Sequence, residues 1–398
     1  MTRLQTRMLE SGAEMWRATT LGLTEYWAVA MRRRATPLDL ARDARRFWEE
    51  ATPRARPQWH TPNEVVLECP VARLRDFTDG ATDRVIPTLV VPPQAGHDSC
   101  IVDYSAQQSQ MQVIRAAGLT RAFSLDWIGA TPATRDATVD DYLEFLDRCV
   151  GHVGGRVNLV GDCQGGWLAA IYAALRPESV HTLTLAGAPI DFHAGDAVIL
   201  DWVRCLTSED LAFYRWVVER GGGVLKGDHM LRGFMLIKPE NEVAKQVQLL
   251  ANLHDAEFVE RHRAFETWYK HVQDIPGAFY LWIVEHLFAH NALVAGELEI
   301  GGERVDLGRI RCPLNLLAGE KDHITPPGQV FAAAEHVGTA AAEIVVRTSS
   351  GGHLGLFMGS EALREHWPPL MARVAELSGH RGDAHPITPA SRPPIPAP

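Results

Sequence analysis

The chain has 398 residues, 46% of them hydrophobic and 22% charged, a globular composition with enough apolar residues for a large core, which excludes a disordered chain or a minidomain. Its formal net charge of −10 argues against a duplex nucleic-acid binder, which must neutralise phosphates. The charge is uneven: residues 1–56 hold eleven Arg against seven acidic residues, a local +4 that leaves −14 for the body.

Residues 2–50 read as helical, with Leu4, Met8 and Met15 near one face and Arg32-Arg33-Arg34 interrupting the apolar period. Residues 63–77 alternate as a strand pair does, and Pro87 to Pro93 is a short apolar run closed by a breaker. Then strands and helices alternate: strands over 122–127, 157–160 and 182–185, helices over 139–150 and 167–175. This rhythm predicts an α/β fold, a mostly parallel sheet with helices on both faces. Between 192 and 305 it gives way to aromatic-rich helical segments, including 256–272 and 278–290, which read as a cap inserted between sheet strands. Strands resume at 313–317 and 343–346, a last helix runs over 361–377, and the Pro-rich residues 380–398 read as a disordered tail. The expected organisation is a helical arm (1–60), a first core part (61–191), a cap (192–305), a second core part (306–379) and the tail.

No apolar run reaches the roughly 18 residues of a membrane span, and no signal-peptide succession opens the chain, so a cytoplasmic location is expected. The cysteines Cys69, Cys100, Cys149, Cys163, Cys205 and Cys312 include no CxxC, so neither a metal site nor a disulfide framework is indicated. Five of them read as small buried apolar groups.

Cys163 differs because it stands in Gly161-Asp162-Cys163-Gln164-Gly165-Gly166, directly after one predicted strand and before a helix. A G-x-nucleophile-x-G turn puts its central residue on a tight strand-to-helix corner, with glycines where side chains would clash. The helix start favours a thiolate and supplies one oxyanion donor, the N–H of Gln164. The plain alternative is a structural cysteine in a Gly-rich turn. In this topology an acid follows a later strand and a histidine follows the last one. Asp322 and His353 stand there: His353 is expected to take the thiol proton and Asp322 to orient the imidazole. His323 and Glu320 compete less well for these roles. Asp162 would oppose a thiolate if it turned inward, so it is expected to point away. The second oxyanion donor is expected from Gln94 or Ala95, since Pro92 and Pro93 lack an N–H, and His97 reads as an exposed loop residue, with a place lining the site as the alternative. Trp127, at a strand end, and Trp167 are the expected substrate contacts.

These residues resemble the polyhydroxyalkanoate synthases, especially their shorter catalytic subunits, within the α/β-hydrolase superfamily. The resemblance covers residues 63–377 and is carried by Pro92-Pro93, Leu125-Asp126-Trp127, the lipase-like box at Gly161 to Gly166, the strand exit Leu185 to Phe192, and the stretch from Asn291 through Leu307 into the Asp322 and His353 loops. It implies an α/β-hydrolase fold and transfer of 3-hydroxyacyl groups from CoA thioesters through an acyl-Cys163, with His353 as base and Asp322 activating His353 or the incoming hydroxyl. No cofactor is implied, CoA entering as part of the substrate. An accessory subunit, a polyester granule surface and a homodimer are implied as partners. Trp167 stands where synthases often have a small residue, and the loop Gln94 to Asp98 is closer to intracellular polyhydroxyalkanoate depolymerases. A hydrolase of the same fold is the alternative reading, and a noncatalytic granule-associated protein a further one.

Overall fold

The computed structural model describes residues 3–52, 55–78, 80, 85–206 and 210–379, without the side chains of residues 3–9 and 205. The expected tail at 380–398 and the side chains of Leu4, Met8 and Cys205 lie outside the described residues.

Eight strands form one sheet: β1 (Glu64–Glu68), β2 (Ala72–Asp76), β3 (Thr88–Val91), β4 (Ala122–Trp127), β5 (Val157–Asp162), β6 (Val180–Ala186), β7 (Leu314–Gly319) and β8 (Ile344–Ser349). Their spatial order is β1-β2-β4-β3-β5-β6-β7-β8. Only β2 runs antiparallel to its neighbours; the other pairs are parallel. This is the α/β-hydrolase arrangement expected from the sequence. Strands β3 to β7 are buried along their whole length, as helices on both faces require.

The helical stretch expected over 2–50 is two helices, α1 (Arg3–Arg32) and α2 (Pro37–Ala51). Arg34 takes φ 55° at the break. Thr36 and Asp39 then form a reciprocal capping box, and Pro37 occupies the first turn, where its missing N–H costs nothing. In the sheet region, α3 (Gln110–Ala116), α4 (Val139–His152) and α5 (Gln164–Leu175) follow β3, β4 and β5. Between β6 and β7 the chain leaves the sheet for a run of helices that includes α6 (Val198–Leu206), α7 (Ala212–Arg220), α8 (Gly227–Ile237), α9 (Pro239–Ala251), α10 (Ala256–Tyr269) and α11 (Gly277–Trp282), the last running into a π-helical stretch, Ile283–Ala289.

The arm packs on this cap. Ser11 donates to Glu240 at 2.6 Å, and Arg263 donates twice to Glu50 at 2.7 and 2.5 Å. Gly22 lets α1 meet α9, because a Cβ there would lie 2.1 Å from Val247 Cγ1. On the side of α1 away from this contact, Trp16, Trp27 and Met31 are exposed.

The junction of β5 with α5 is closed by backbone packing. A Cβ on Gly165 would lie 2.0 Å from the Val91 carbonyl oxygen and 2.5 Å from that of Pro92; one on Gly166 would lie 2.1 Å from the Ala188 Cβ. These contacts are to main chain or to a short rigid side chain, so neighbours cannot swing aside. Gly165→Ala is therefore expected to lower stability by about 1–3 kcal/mol or more, read as a lower midpoint in urea unfolding. An unchanged midpoint would contradict this packing.

Candidate active site

β5 ends at Asp162 and α5 begins at Gln164, so Cys163 alone makes the corner. Its backbone sits at φ 50°, ψ −119°, a conformation that costs a non-glycine residue about 1–3 kcal/mol and persists only where surrounding structure enforces it. The enforcement is visible: the Cys163 N–H donates to the Ala186 carbonyl at 2.9 Å, tying the corner to β6, and the Gly166 N–H donates to the Cys163 carbonyl at 2.9 Å.

The loops after β7 and β8 bring Asp322 and His353 to this corner. Asp322 Oδ1 accepts from the backbone N–H of Ile324 and Thr325, both at 2.9 Å, which locks the carboxylate. His353 Nδ1–H donates to Asp322 Oδ2 at 2.7 Å. Both side chains are buried, and Cys163 and His353 line the same cavity. Burial by itself would lower the His353 pKa. The Asp322 carboxylate, and after it Cys163, outweigh burial and hold the imidazole well above its ordinary value.

The competing groups fall away for identifiable reasons. His323 lines the cavity, but burial and then the Lys238 ammonium push its pKa down, and the oxygens of Asp322 bond other groups. Glu320 is exposed. Asp162 does not avoid the sulfur by facing solvent: it is fully buried, with Oδ1 accepting from Gln110 Nε2 at 3.4 Å. Burial raises its pKa well above the carboxylate range, more than the Gln110 amide and the His353 charge lower it. Burial thus favours the uncharged carboxyl, which weakens the like-charge objection.

A cavity of about 330 Å³ opens over this group, with Cys163, Gln164 and His353 in its wall. Phe192, Phe234, Trp268, Tyr269, Ile283 and Phe288 make much of its lining apolar, and Lys238, Asn241 and Glu242 add polar groups. Ala95 lines the cavity and Gln94 does not; the Gln94 amide instead donates to the Tyr142 hydroxyl at 3.2 Å. Trp167 also lines it. Trp127 does not, which corrects the expectation from sequence. It is 1% exposed, and its indole N–H donates to the Pro92 carbonyl at 2.8 Å, so it braces the loop after β3 from inside the core.

His97 is likewise a correction: it is buried, not exposed. It stacks on Trp268 and Tyr269 at centroid distances of 4.8 and 5.6 Å, and Nε2–H donates to the Tyr269 carbonyl at 3.0 Å. Burial pushes its pKa down to about 4. Gln273 N–H to the Gly96 carbonyl at 2.8 Å and the Trp268 indole to the Asp98 carbonyl at 2.8 Å fasten the same loop to the cap. Sequence reasoning missed this clamp, since its halves lie some 170 residues apart.

Cys100 and Cys149 are buried and Cys69 and Cys312 half-buried. Burial pushes the thiols of Cys100, Cys149 and Cys312 up, the last to about 12, which keeps them protonated and unreactive. Among the described residues no group of three His, Cys, Asp or Glu is disposed to hold a metal ion, and no helix is long and apolar enough to cross a membrane.

Strand order, a sharp corner after β5, and an acid and histidine in the loops after β7 and β8 define an α/β-hydrolase-fold protein with cysteine at the corner. The chain belongs to the family described as "Protein of unknown function (DUF3141)", which matches residues 68–377. It is also similar to the poly(3-hydroxyalkanoate) polymerase subunit PhaC of Haloferax mediterranei, 30% identical over 80% of this chain and 64% of that one. The chain thus spans less than two thirds of that relative's length. The subunit of the same name from Allochromatium vinosum is 28% identical over 74% of this chain and 82% of that one. Among solved structures, an epoxide hydrolase from Bacillus megaterium superposes with a TM-score of 0.47 at 14% identity, covering 78% of this chain and 97% of that one.

The raised His353 pKa sets a pH dependence. Its folded value lies above the unfolded value of about 6.5, so the stabilisation it reports is fully present below that pH and is lost as pH rises through the folded value. Asp322→Asn removes the main raising charge. Relative to wild type, its deficit in urea midpoint is expected to be largest near pH 6 and to narrow at higher pH, and the His353 ring resonance should titrate at lower pH. A deficit that grows with pH would contradict the pairing.

Proposed function

We propose that the protein is an acyltransferase of the polyhydroxyalkanoate synthase type, moving 3-hydroxyacyl groups from CoA thioesters through an acyl-cysteine at Cys163. The observation that carries this reading is that Cys163 and His353 line one largely apolar cavity, with His353 bonded to the buried Asp322, and the names of the PhaC relatives support it.

In the first half-reaction the Cys163 sulfur attacks the thioester carbonyl while His353 takes the thiol proton. The resulting oxyanion is held by the N–H of Gln164, at the first turn of α5 where backbone donors lack helical partners, and by the N–H of Ala95. The carbon–sulfur bond to CoA breaks, the leaving thiolate takes the proton from His353, and a Cys163 thioester remains. In the second, a chain-end hydroxyl attacks this thioester, His353 takes the hydroxyl proton and returns it to the Cys163 sulfur, and a new ester leaves. Donor and enzyme carry similar leaving groups, so the first exchange is close to thermoneutral, which suits a thiol better than a serine. CoA enters only as part of the substrate, so the scheme uses no cofactor. The exposed indoles of α1 support a polyester surface as the place of work.

Purified protein incubated with 3-hydroxybutyryl-CoA is expected to release CoA and build polymer, and Cys163→Ala to lose both by at least about 10³-fold. Soluble hydroxy acid released from amorphous polyester, without polymer growth from the thioester, would replace this reading with the depolymerase one. Full function in Cys163→Ala would remove catalysis from the corner altogether.

A further inference from the structure

The cap leaves the core after β6 and returns before β7, and the two crossings meet at Asn291. This residue stands between the π-helical stretch Ile283–Ala289 and the short helix Ala292–Ala295. Its Oδ1 accepts from the backbone N–H of Phe192 at 2.9 Å, and its Nδ2 donates to Asp191 Oδ1 at 2.8 Å, so one side chain ties segments 99 and 100 residues away. The same Asp191 oxygen accepts from the His193 N–H at 2.9 Å, and the His193 ring donates from Nε2 to the Phe288 carbonyl at 2.8 Å.

The segment after Asp322 also holds the outgoing crossing. Gln329, in the helix Pro327–Phe331, donates from Nε2 to the Phe192 carbonyl at 2.8 Å, and its own carbonyl accepts from the Ile190 N–H at 2.9 Å. Phe192 is 1% exposed, and both its backbone polar groups depend on side chains from other segments, the N–H on Asn291 and the carbonyl on Gln329. Asn291 itself takes φ 51°, ψ 36°, in the left-handed region. Asn enters that region more readily than most residues, yet it and the adjoining π-helical stretch are uncommon conformations of the kind that cluster at functional sites.

The joint positions part of the cavity wall. Phe192, on the core side of it, and Phe288, on the cap side, both line the cavity that holds Cys163. Their rings meet edge to face, at 78° between planes and 4.9 Å between centroids. Ile283, at the start of the same π-helical stretch, lines the cavity too. Without the Asn291 side chain, the bond left across the joint would be the exposed one from His193 to the Phe288 carbonyl. Packed walls respond to small displacements, and one methylene in an apolar pocket changes rates by about 10–200-fold.

We propose that Asn291 is a positioning residue for acyl-length selection: by pinning the two crossings of the cap it holds Phe288 against Phe192 and so limits the length of acyl group that Cys163 accepts. This rests on the acyl-transfer reading of Cys163. Asn291 does not itself line the cavity, and it acts through the two rings.

The test follows single-turnover release of p-nitrophenol from p-nitrophenyl butyrate and p-nitrophenyl octanoate, with Cys163→Ala as the blank, and reads the ratio of the two rates. Asn291→Gly, which keeps the left-handed backbone and deletes the side chain, is expected to raise octanoate relative to butyrate by on the order of 10-fold. Asn291→Asp, which keeps the acceptor for Phe192 and loses the donor to Asp191, should shift the ratio the same way by less, and serves if the glycine variant does not fold. Asn291→Asp combined with Asp191→Asn exchanges the two groups across the joint and should return the ratio to within about twofold of wild type. A general loss of stability or activity lowers both rates and leaves the ratio where it was. A ratio unmoved in both single variants, or a shift that the exchange does not reverse, overturns the positioning role. If the esters acylate Cys163 with the expected shifts and 3-hydroxybutyryl-CoA does not react, the positioning role stands and the thioester donor falls. No Cys163-dependent release from either ester overturns both.

Discussion

The site depends on how closely the backbone of α5 approaches the end of β3. Gly165 touches the carbonyls of Val91 and Pro92 where a Cβ would overlap them, and this approach forces the corner at Cys163 into its strained conformation. The same contact fixes the loop that carries Ala95, because that loop starts at Pro92. Trp127 reinforces it by donating to the Pro92 carbonyl from within the core. Corner and loop therefore share one rigid seat.

The cap completes the arrangement and controls its electrostatics. Through His97, Gly96 and Asp98 it grips the far end of the same loop, so the loop is fastened at both ends, to the core and to α10 with the segment that follows. Trp268 and Tyr269, which make part of that grip, also wall the cavity. By excluding water they lower the local dielectric, where the Asp322–His353 attraction is stronger than at a surface. His97 is pushed the other way by the same burial, since its ring faces aromatic groups and a carbonyl and no carboxylate. Two histidines on one cavity thus hold opposite charge tendencies, set by whether a carboxylate reaches the ring.

The sheet was legible because buried parallel strands appear as short apolar runs bounded by breakers, and the order of Cys163, Asp322 and His353 follows once the sheet is known. Other features depend on contacts that no local pattern encodes. Trp127 ends a strand on the catalytic edge, yet which side of the sheet its ring takes depends on register, and the ring went to the core. His97 looks like a loop residue until α10 covers it. The break between α1 and α2 was written in Thr36-Pro37-Asp39, a cap and a helix start, and was obscured by apolar periodicity continuing on either side. Trp167, expected from sequence to face the site, lines the cavity, and its stacking on Phe279 and Trp282 is a contact that no local pattern encodes.

Asp162 shows how an acidic residue can stand beside the sulfur. Placed at the end of a buried strand, its carboxyl has one long hydrogen bond from Gln110 and a second oxygen with no partner among the described residues. Ionising such a group means desolvating a charge with little to compensate it, so burial favours the protonated form. The corner then has the Asp322 carboxylate facing His353 without a second negative charge favoured beside the sulfur. If Asp162 were solvated enough to ionise, its negative charge would oppose any negative charge built up on the sulfur. The burial that neutralises Asp162 is the burial that seats α5 against β5, so the packing that strains the corner also removes the charge that would oppose its reaction.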